Sequence, residues 1–219
     1  MLNILQGYLG DIIYIVPISL FSLTIHELSH GFVAYKLGDP TAKDAGRLTL
    51  NPLKHLDLIG VIMMVVLRFG WAKPVPVNPL YFKNPKKGMM LTALAGPVSN
   101  LLTAFVSSFL LVLFTLLPVY PSWLYTALLL TTYLNIGLAV FNLIPVYPLD
   151  GSRILGYFMP NSFNDFFVRY GNYIYIAFFL LVVLTDYVGN AVFFVQSGIS
   201  NLFITLWQYV VYFIVSVLL

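Results

Sequence analysis

Apolar residues run through this chain in long stretches, separated by short polar stretches rich in Gly, Pro and charged residues. A helical run of about 17–25 apolar residues can cross the ~30 Å hydrocarbon core of a bilayer. The pattern predicts six apolar segments, at about residues 12–37, 56–69, 89–117, 123–144, 173–185 and within 191–219. Segment two (56–69) is too short for a spanning helix, and segment five (173–185) has the weakest pattern.

The composition is that of an integral membrane protein. Apolar residues make up 60% of the chain and charged residues 9%, whereas soluble domains carry about 25% charged residues. The absence of Cys excludes disulfides and thiolate metal ligands. No basic cluster interleaved with aromatic residues indicates nucleic-acid binding, and no cleavable signal peptide is predicted. We expect a single transmembrane domain over residues 1–219.

The basic residues predict the topology. All eleven Lys and Arg fall within residues 36–54, 68–87 and 153–169. Cytoplasmic loops are enriched in Lys and Arg, so all three stretches are cytoplasmic only if segment two enters and leaves the bilayer on one face. We expect an all-α polytopic membrane protein with five or six transmembrane helices, a short re-entrant or β element after the first span, an outside N-terminus and an inside C-terminus. Six simple crossings, the alternative, would put strongly basic loops on both faces.

The first segment contains an H-E-x-x-H motif, formed by His26, Glu27 and His30. On a helix, positions i and i+4 share a face, so both imidazoles can bind one Zn²⁺. Glu27 can then act as general base toward an activated water. Ionisable groups within a membrane span are costly and mark functional sites by default. The alternative interpretation is a satisfied polar cluster between packed helices.

The residues that the chain lacks narrow the choice of third ligand. Glu27 is the only Glu, and Lys36 stands where an extended HExxH pattern has a third His. His55 or one of the seven Asp residues remains. Asp150 is the best candidate, because it follows the helix break in "PVYPLDG" and lies at the same face as the HExxH motif in the re-entrant topology. His55, in "KHLD", is more typical of a polar interfacial side chain.

Five of the other six Asp side chains, all except Asp57 beside His55, are expected at solvated ends of segments. These are Asp11, Asp39, Asp44, Asp165 and Asp186.

Three motifs in order resemble the site-2 protease family of intramembrane zinc metalloproteases: "HELSH", "AGPVSN" and "FNLIPVYPLDG". The stretches "GRLTLNPLKHLDLIG" and "GWAKPVPVNP" resemble its compact prokaryotic branch, without a PDZ or nucleotide-sensing domain. The resemblance covers residues 20 to about 160. It implies that His26, His30 and Asp150 bind one Zn²⁺ per chain and that Glu27 is the catalytic base.

The same resemblance implies a function and a location. The expected activity is hydrolysis of peptide bonds in the transmembrane segments of protein substrates, as in regulated intramembrane proteolysis. The expected catalytic core is about residues 12–155, with C-terminal spans at about 171–219. The active site would face the cytoplasmic side of a prokaryotic cell membrane.

Asparagines in the apolar segments are candidates for supporting the site. Asn142 could donate to the oxyanion of the tetrahedral intermediate, or could make an interhelical hydrogen bond. Asn100, in "AGPVSN", invites the same two interpretations, and close helix packing at Gly96 is favoured there. Asn135 is expected to be structural.

The Pro-rich stretch at Pro74, Val75, Pro76 and Val77 predicts an edge strand or an extended loop, because Pro cannot donate to a β-ladder. A protease reads its substrate in an extended form, and adding a strand to an exposed edge achieves this. These residues are therefore candidates for substrate binding, and an ordinary Pro-stiffened loop is the alternative.

A non-enzymatic membrane zinc-binding protein, a transporter or a sensor, is the main rival function. A transporter is expected to carry further ionisable residues at depth in other spans, and these segments have almost none. A di-iron lipid enzyme needs several His clusters, which three His residues cannot supply.

Overall fold

A computed structural model describes residues 2–67 and 70–218. Eight α-helices account for most of this part of the chain: α1 Leu2–Lys36, α2 Thr41–Asp44, α3 Leu58–Leu67, α4 Pro85–Phe114, α5 Ser122–Asn142, α6 Asp150–Phe158, α7 Asn161–Leu184 and α8 Tyr187–Leu218. Short 3₁₀ turns occupy Pro52–Lys54 and Pro79–Tyr81. The predicted all-α class is confirmed, whereas the predicted β element is not formed as a strand within the described residues.

Within the described residues, four helices are long and apolar enough to cross a membrane. They are Ile12–Lys36, Pro85–Phe114, Ser122–Asn142 and Tyr187–Val217. The sequence predicted five or six spans, and the difference lies in segments two and five. The apolar part of α7, Arg169–Leu184, falls short of the other four, because polar and charged residues fill the first turns of that helix.

Local sequence signals explain where the spans begin and end. Asn84 precedes α4 and accepts a hydrogen bond from the Lys87 amide (3.1 Å), with Pro at the first helical position. Helix α5 ends at Asn142, just before two prolines that cannot continue it. The predicted helix break in "NLIPVYPLDG" is therefore confirmed, and the following turns lead directly into α6.

Segment two folds back on itself. Leu56 and Ala72 form an antiparallel bridge, and the Lys73 amide donates to the His55 carbonyl over 2.8 Å. Helix α3 has ten residues and is therefore about 15 Å long, half the hydrocarbon thickness. The two limbs touch near Gly60, where an added Cβ would overlap the Trp71 carbonyl. The chain thus returns to the level at which it left, although residues 68 and 69 of this segment lie outside the described part.

Helix α4 forms the centre of the bundle and packs against α1, α5, α6 and α8. Its buried positions include small residues such as Gly96 and Ala104, and the neighbouring helices also bury small residues, such as Ala34 on α1 and Ala139 on α5. Small side chains let helix backbones approach closely in a bilayer, where apolar burial does not drive association. This close approach brings the polar side chains of α1, α4 and α5 within hydrogen-bonding distance of one another.

Candidate metal centre

His26 and His30 point from one face of α1 at the side chain of Asp150. The Nε2 atoms of His26 and His30 lie 3.2 and 3.3 Å from Asp150 Oδ2. One ligand atom from each of the three residues lies within 4.8 Å of the others. Asp150 is the first residue of α6, and the irregular stretch after α5 carries it to α1. The structure therefore brings together the three side chains that the sequence proposed as ligands.

The other ring nitrogen of each imidazole is held from outside the cluster. His30 Nδ1 lies 2.7 Å from the Thr92 carbonyl oxygen, and His26 Nδ1 lies 2.5 Å from Asn100 Oδ1. A carbonyl oxygen can only accept, so this hydrogen bond places a proton on His30 Nδ1 and leaves Nε2, which faces Asp150, as the nitrogen that can bind an ion. Hydrogen bonding of this kind fixes the orientation and tautomer of metal-binding histidines.

Gly96 provides the space that the two imidazoles occupy. A Cβ built on Gly96 would lie 2.5 Å from Cε1 of His26 and 2.5 Å from Cε1 of His30. Real Cβ atoms do not approach other atoms so closely, and both rings are confined by their Nδ1 partners. Glycine is therefore required at this position on α4 for both rings to point at Asp150.

The chemistry of this cluster fits a zinc ion. Asp150 Oδ2 is buried and has no hydrogen-bond partner within the described residues. Two neutral imidazoles and a carboxylate oxygen at this distance from one another present three lone pairs that one cation can share. Two His and one carboxylate, with a fourth position open, form one of the ligand sets of catalytic zinc sites. His26, His30 and Asp150 can hold the ion.

His55, the rival ligand, lies elsewhere. Its side chain is buried, and its Nε2 lies 2.9 Å from the Thr49 carbonyl oxygen. It does not belong to the cluster of His26, His30 and Asp150. The sequence predicted that His55 is a polar interfacial side chain. In the structure its side chain is buried where the segment-two hairpin begins.

Glu27 lies next to the cluster and is held by the Pro-rich stretch. Its Oε2 accepts a hydrogen bond from the Val75 amide over 2.7 Å. Residues 73–77 belong to no helix and form no ladder with another strand in the described part of the chain. Of the predicted substrate-binding residues, Pro74, Val75 and Val77 line the cavity at the site, and Pro76 does not.

The site opens into a cavity of about 850 Å³. Its walls are mostly apolar faces of α1, α5, α7 and α8, and His26, Glu27, His30 and Asp150 line one end. Asn142 also lines the cavity, and its amide nitrogen donates to the Leu138 carbonyl over 2.9 Å. Asn142 thus faces the space that a substrate would fill, whereas Asn100 is buried behind His26.

A family model of peptidase family M50 matches residues 117–184, which include Asn142 and Asp150. The chain is also 45% identical over 175 residues to "Putative zinc metalloprotease YwhC" of Bacillus subtilis, covering 78% of this chain and 80% of that protein. The chain belongs to peptidase family M50. Members of this site-2 protease family are zinc metalloproteases, so the cluster on α1 and α6 belongs to an enzyme whose metal is zinc.

More distant relatives extend the M50 likeness. "Putative zinc metalloprotease Rip2" of Mycobacterium tuberculosis is 30% identical over 157 residues, covering 68% of this chain and 58% of that protein. "Zinc metalloprotease MJ0392" of Methanocaldococcus jannaschii is 32% identical over 135 residues, covering 61% of this chain and 31% of that protein. No solved structure matches the chain. Membership of M50 favours an enzyme over the alternative of a zinc transporter or sensor.

Asn135, expected to be structural, makes buried hydrogen bonds to Asn100 and Ser22 on neighbouring helices, which agrees with that prediction. One carboxylate differs from its prediction. Asp39, expected at a solvated segment end, is fully buried. Its carboxylate accepts hydrogen bonds from the Thr41 side chain and amide and from the Asn78 amide. The sequence signal for Asn135 was an amide in an apolar helix, whereas Asp39 gave none.

Proposed function

We propose that this M50 peptidase is an intramembrane zinc endopeptidase that cleaves the transmembrane segments of protein substrates. His26, His30 and Asp150 hold the zinc ion, and Glu27 is the general base. The observation that carries the proposal is the position of Glu27 and the metal cluster at one end of a cavity walled by membrane-spanning helices. A substrate that reaches this cavity is surrounded by apolar side chains.

The shape of the cavity supports an apolar chain segment as the substrate. Ile15, Ser19 and Leu23 on α1 line it together with both histidines. From Ile15 to His30 the helix rises about 22 Å, most of the hydrocarbon thickness. The cavity is therefore long in the direction of a transmembrane segment, which matches the proposed substrate class better than a water-soluble peptide.

The protein residues divide the chemistry among them. Zinc bound here supplies Lewis-acid activation of water and of the peptide carbonyl. Glu27 takes a proton from the attacking water on its carboxylate and returns it to the leaving amine. Asn142 lies in the cavity wall, where its side-chain amide can donate to the carbonyl oxygen as negative charge develops on it.

Residues 74–77 are the proposed substrate platform. Val75 and Val77 line the cavity, and the Val75 amide already faces the active site through its bond to Glu27. A substrate strand laid along this stretch would pass the metal cluster in an extended form. Because Pro74 and Pro76 carry no amide hydrogen, Val75 is the only donor among the first three residues of the platform.

We place the N-terminus outside, five crossings in the membrane and the C-terminus inside. The paired ends of the segment-two hairpin support a re-entrant element, which leaves the three basic stretches on one face. Helix α7 then supplies the one crossing that the four long helices do not account for. Its apolar part is shorter than theirs. In this topology residues 1–219 form one peptidase domain whose zinc site lies toward the cytoplasmic side.

The test is cleavage of a transmembrane peptide by purified protein in detergent. We expect Glu27→Gln to bind zinc as the wild type does, because Glu27 is not a ligand, and to lose cleavage. A soluble peptide with the same scissile sequence but without its apolar flanks should be cleaved poorly. Full activity of Glu27→Gln would refute the mechanism, and preferential cleavage of the soluble peptide would refute the intramembrane substrate class.

A further inference from the structure

A line of buried polar side chains leads from His26 through α4 and α5 back to α1. Asn100 Oδ1 lies 2.5 Å from His26 Nδ1, and Asn100 Nδ2 donates to Asn135 Oδ1 over 2.8 Å. Asn135 Nδ2 donates to Ser22 Oγ over 2.9 Å. Asn100, Asn135 and Ser22 are all fully buried. Polar groups buried this deeply between spans need partners on every side.

At the end of this line away from His26, hydrogen bonds that end on backbone carbonyls fix the orientation of the Asn135 amide. The Ser22 hydroxyl donates to the Ile18 carbonyl over 2.7 Å, so its oxygen is left to accept from Asn135. The Asn135 side-chain nitrogen also donates to the Thr131 carbonyl over 2.8 Å. Since the Thr131 carbonyl can only accept and the Ser22 oxygen is left to accept, the NH₂ group of Asn135 must face both of them, and its oxygen must face Asn100.

The orientation of the Asn135 amide in turn affects which ring nitrogen of His26 carries the proton. The NH₂ group of Asn100 donates to the Asn135 oxygen over 2.8 Å and, more weakly, to the Ser22 carbonyl over 3.4 Å. The shorter bond to Asn135 is the main contact that turns the Asn100 oxygen toward His26. An oxygen there accepts from Nδ1–H and leaves the His26 Nε2 lone pair toward Asp150. A flipped Asn100 amide would present NH₂ to Nδ1 and favour the tautomer with its proton on Nε2, which cannot bind a metal through that nitrogen.

We propose that Asn135 is a positioning residue for the zinc site, acting through Asn100. It orients the Asn100 amide, and the oriented amide holds His26 in the tautomer that binds the ion. His30 needs no such relay, because a backbone carbonyl, that of Thr92, already accepts from its Nδ1. The inference rests on the ligand assignment made under the proposed function.

The first test compares zinc affinity, by chelator competition, in Asn135→Leu and in a matched control. Thr132→Val is the control, because Thr132 is fully buried on the same helix and bonds Ser107 (2.9 Å), outside the line to His26. We expect Asn135→Leu to bind zinc about 10–100-fold more weakly, the usual cost of losing a group that supports a metal ligand. Thr132→Val should bind as the wild type does, and equal affinities in both variants would overturn the proposal.

A second test separates orientation of the amide from general packing. In the Asn100→Asp variant, both side-chain oxygens are acceptors. The side chain therefore presents an acceptor to His26 Nδ1 in either orientation and does not need to be oriented by Asn135. Adding Asn135→Leu to that background should weaken zinc binding less than threefold. The same 10–100-fold loss in both backgrounds would show a packing role and overturn the proposal.

A third test uses the wild-type protein alone, so misfolding of a variant cannot affect its result. Side-chain ¹⁵N NMR of the metal-free protein at neutral pH should show His26 with its proton on Nδ1. A proton on Nε2 would overturn the relay. If the wild type bound no zinc at all, the ligand assignment would fall instead, so the two failures are distinguishable.

Discussion

The Val75 amide donates to Glu27 Oε2 across 2.7 Å, joining the Pro-rich stretch to the proposed catalytic base. The Lys73 amide, two residues earlier, donates to the His55 carbonyl in the same direction, and Arg47 Nη2 donates to the Lys73 carbonyl over 2.6 Å. The backbone amides of Lys73 and Val75 are therefore both held by the rest of the protein, and the bond to Glu27 sets the direction of its carboxylate.

Removing this one amide hydrogen should slow catalysis without releasing the metal. We expect Val75→Pro to lower kcat about tenfold or more, since a hydrogen bond to a charged group contributes about 1.5–3 kcal/mol. Its zinc content should be unchanged, because Val75 touches no ligand. Val77→Pro, the same substitution two residues on, keeps the contact to Glu27 and is the control for kcat. Because Val77 lies in the proposed substrate platform, any effect of this variant should fall on KM. An unchanged kcat in Val75→Pro would show that Glu27 is positioned by other groups.

A methyl group at position 96 should empty the zinc site although it favours the helix. Alanine is a better helix former than glycine by about 1 kcal/mol, yet the Cβ of Gly96→Ala would occupy the space of both imidazoles. We expect zinc bound per chain to fall severalfold, as measured by metal analysis after purification. Gly198→Ala is the control, because a Cβ there meets nothing within 4 Å. Full zinc loading of Gly96→Ala would mean that the rings can shift without losing the ion.

The chemistry of the site was predictable because ionisable residues are so rare in these segments. With one Glu and three His in the chain, the HExxH motif stood out, and the lack of other ligands directed attention to Asp150. The link from Asn135 to His26 was not predictable, since it depends on how α4 and α5 are rotated against α1. Asp39 also escaped prediction, because its partner at Asn78 is distant in sequence and joins it through a backbone amide.

The third ligand is open to a direct comparison of two substitutions. We expect Asp150→Ala to lose zinc by orders of magnitude in affinity, because it leaves only two imidazoles. His55→Ala should keep zinc, since His55 bonds the Thr49 carbonyl away from the cluster. Metal analysis and chelator competition on both variants give the answer. Zinc lost in His55→Ala and retained in Asp150→Ala would reverse the assignment.

The buried Asp39 should make stability depend on acid pH. Burial alone would raise the pKa of Asp39, but hydrogen bonds from Thr41 and from the Asn78 amide outweigh it and hold the pKa below its usual range. A pKa lowered by folding contributes stability above the unfolded value of about 3.9, and this contribution is lost as the pH falls through the folded pKa.

We therefore expect Asp39→Asn to lose less thermal stability than the wild type between pH 6 and pH 3. The measurement is the unfolding temperature of zinc-free protein from Trp fluorescence, because acid would otherwise also release the metal. Asp44→Asn changes an exposed carboxylate on the same connection and should follow the wild-type pH profile. Identical profiles for all three proteins would show that Asp39 does not cause the loss of stability at acid pH.

The re-entrant hairpin predicts that both of its flanks face the same side of the membrane. Because the chain contains no Cys, single substitutions give unambiguous labelling with an impermeant maleimide. Lys43→Cys and Lys83→Cys, before and after the hairpin, should react only when the cytoplasmic face is accessible, whereas Ser122→Cys, at the start of α5, should react from outside. Labelling of the first two from opposite faces would mean that segment two crosses the bilayer. Helix α5 would then cross the bilayer in the opposite direction. Its end near Asp150 would lie at the opposite face from His26 and His30.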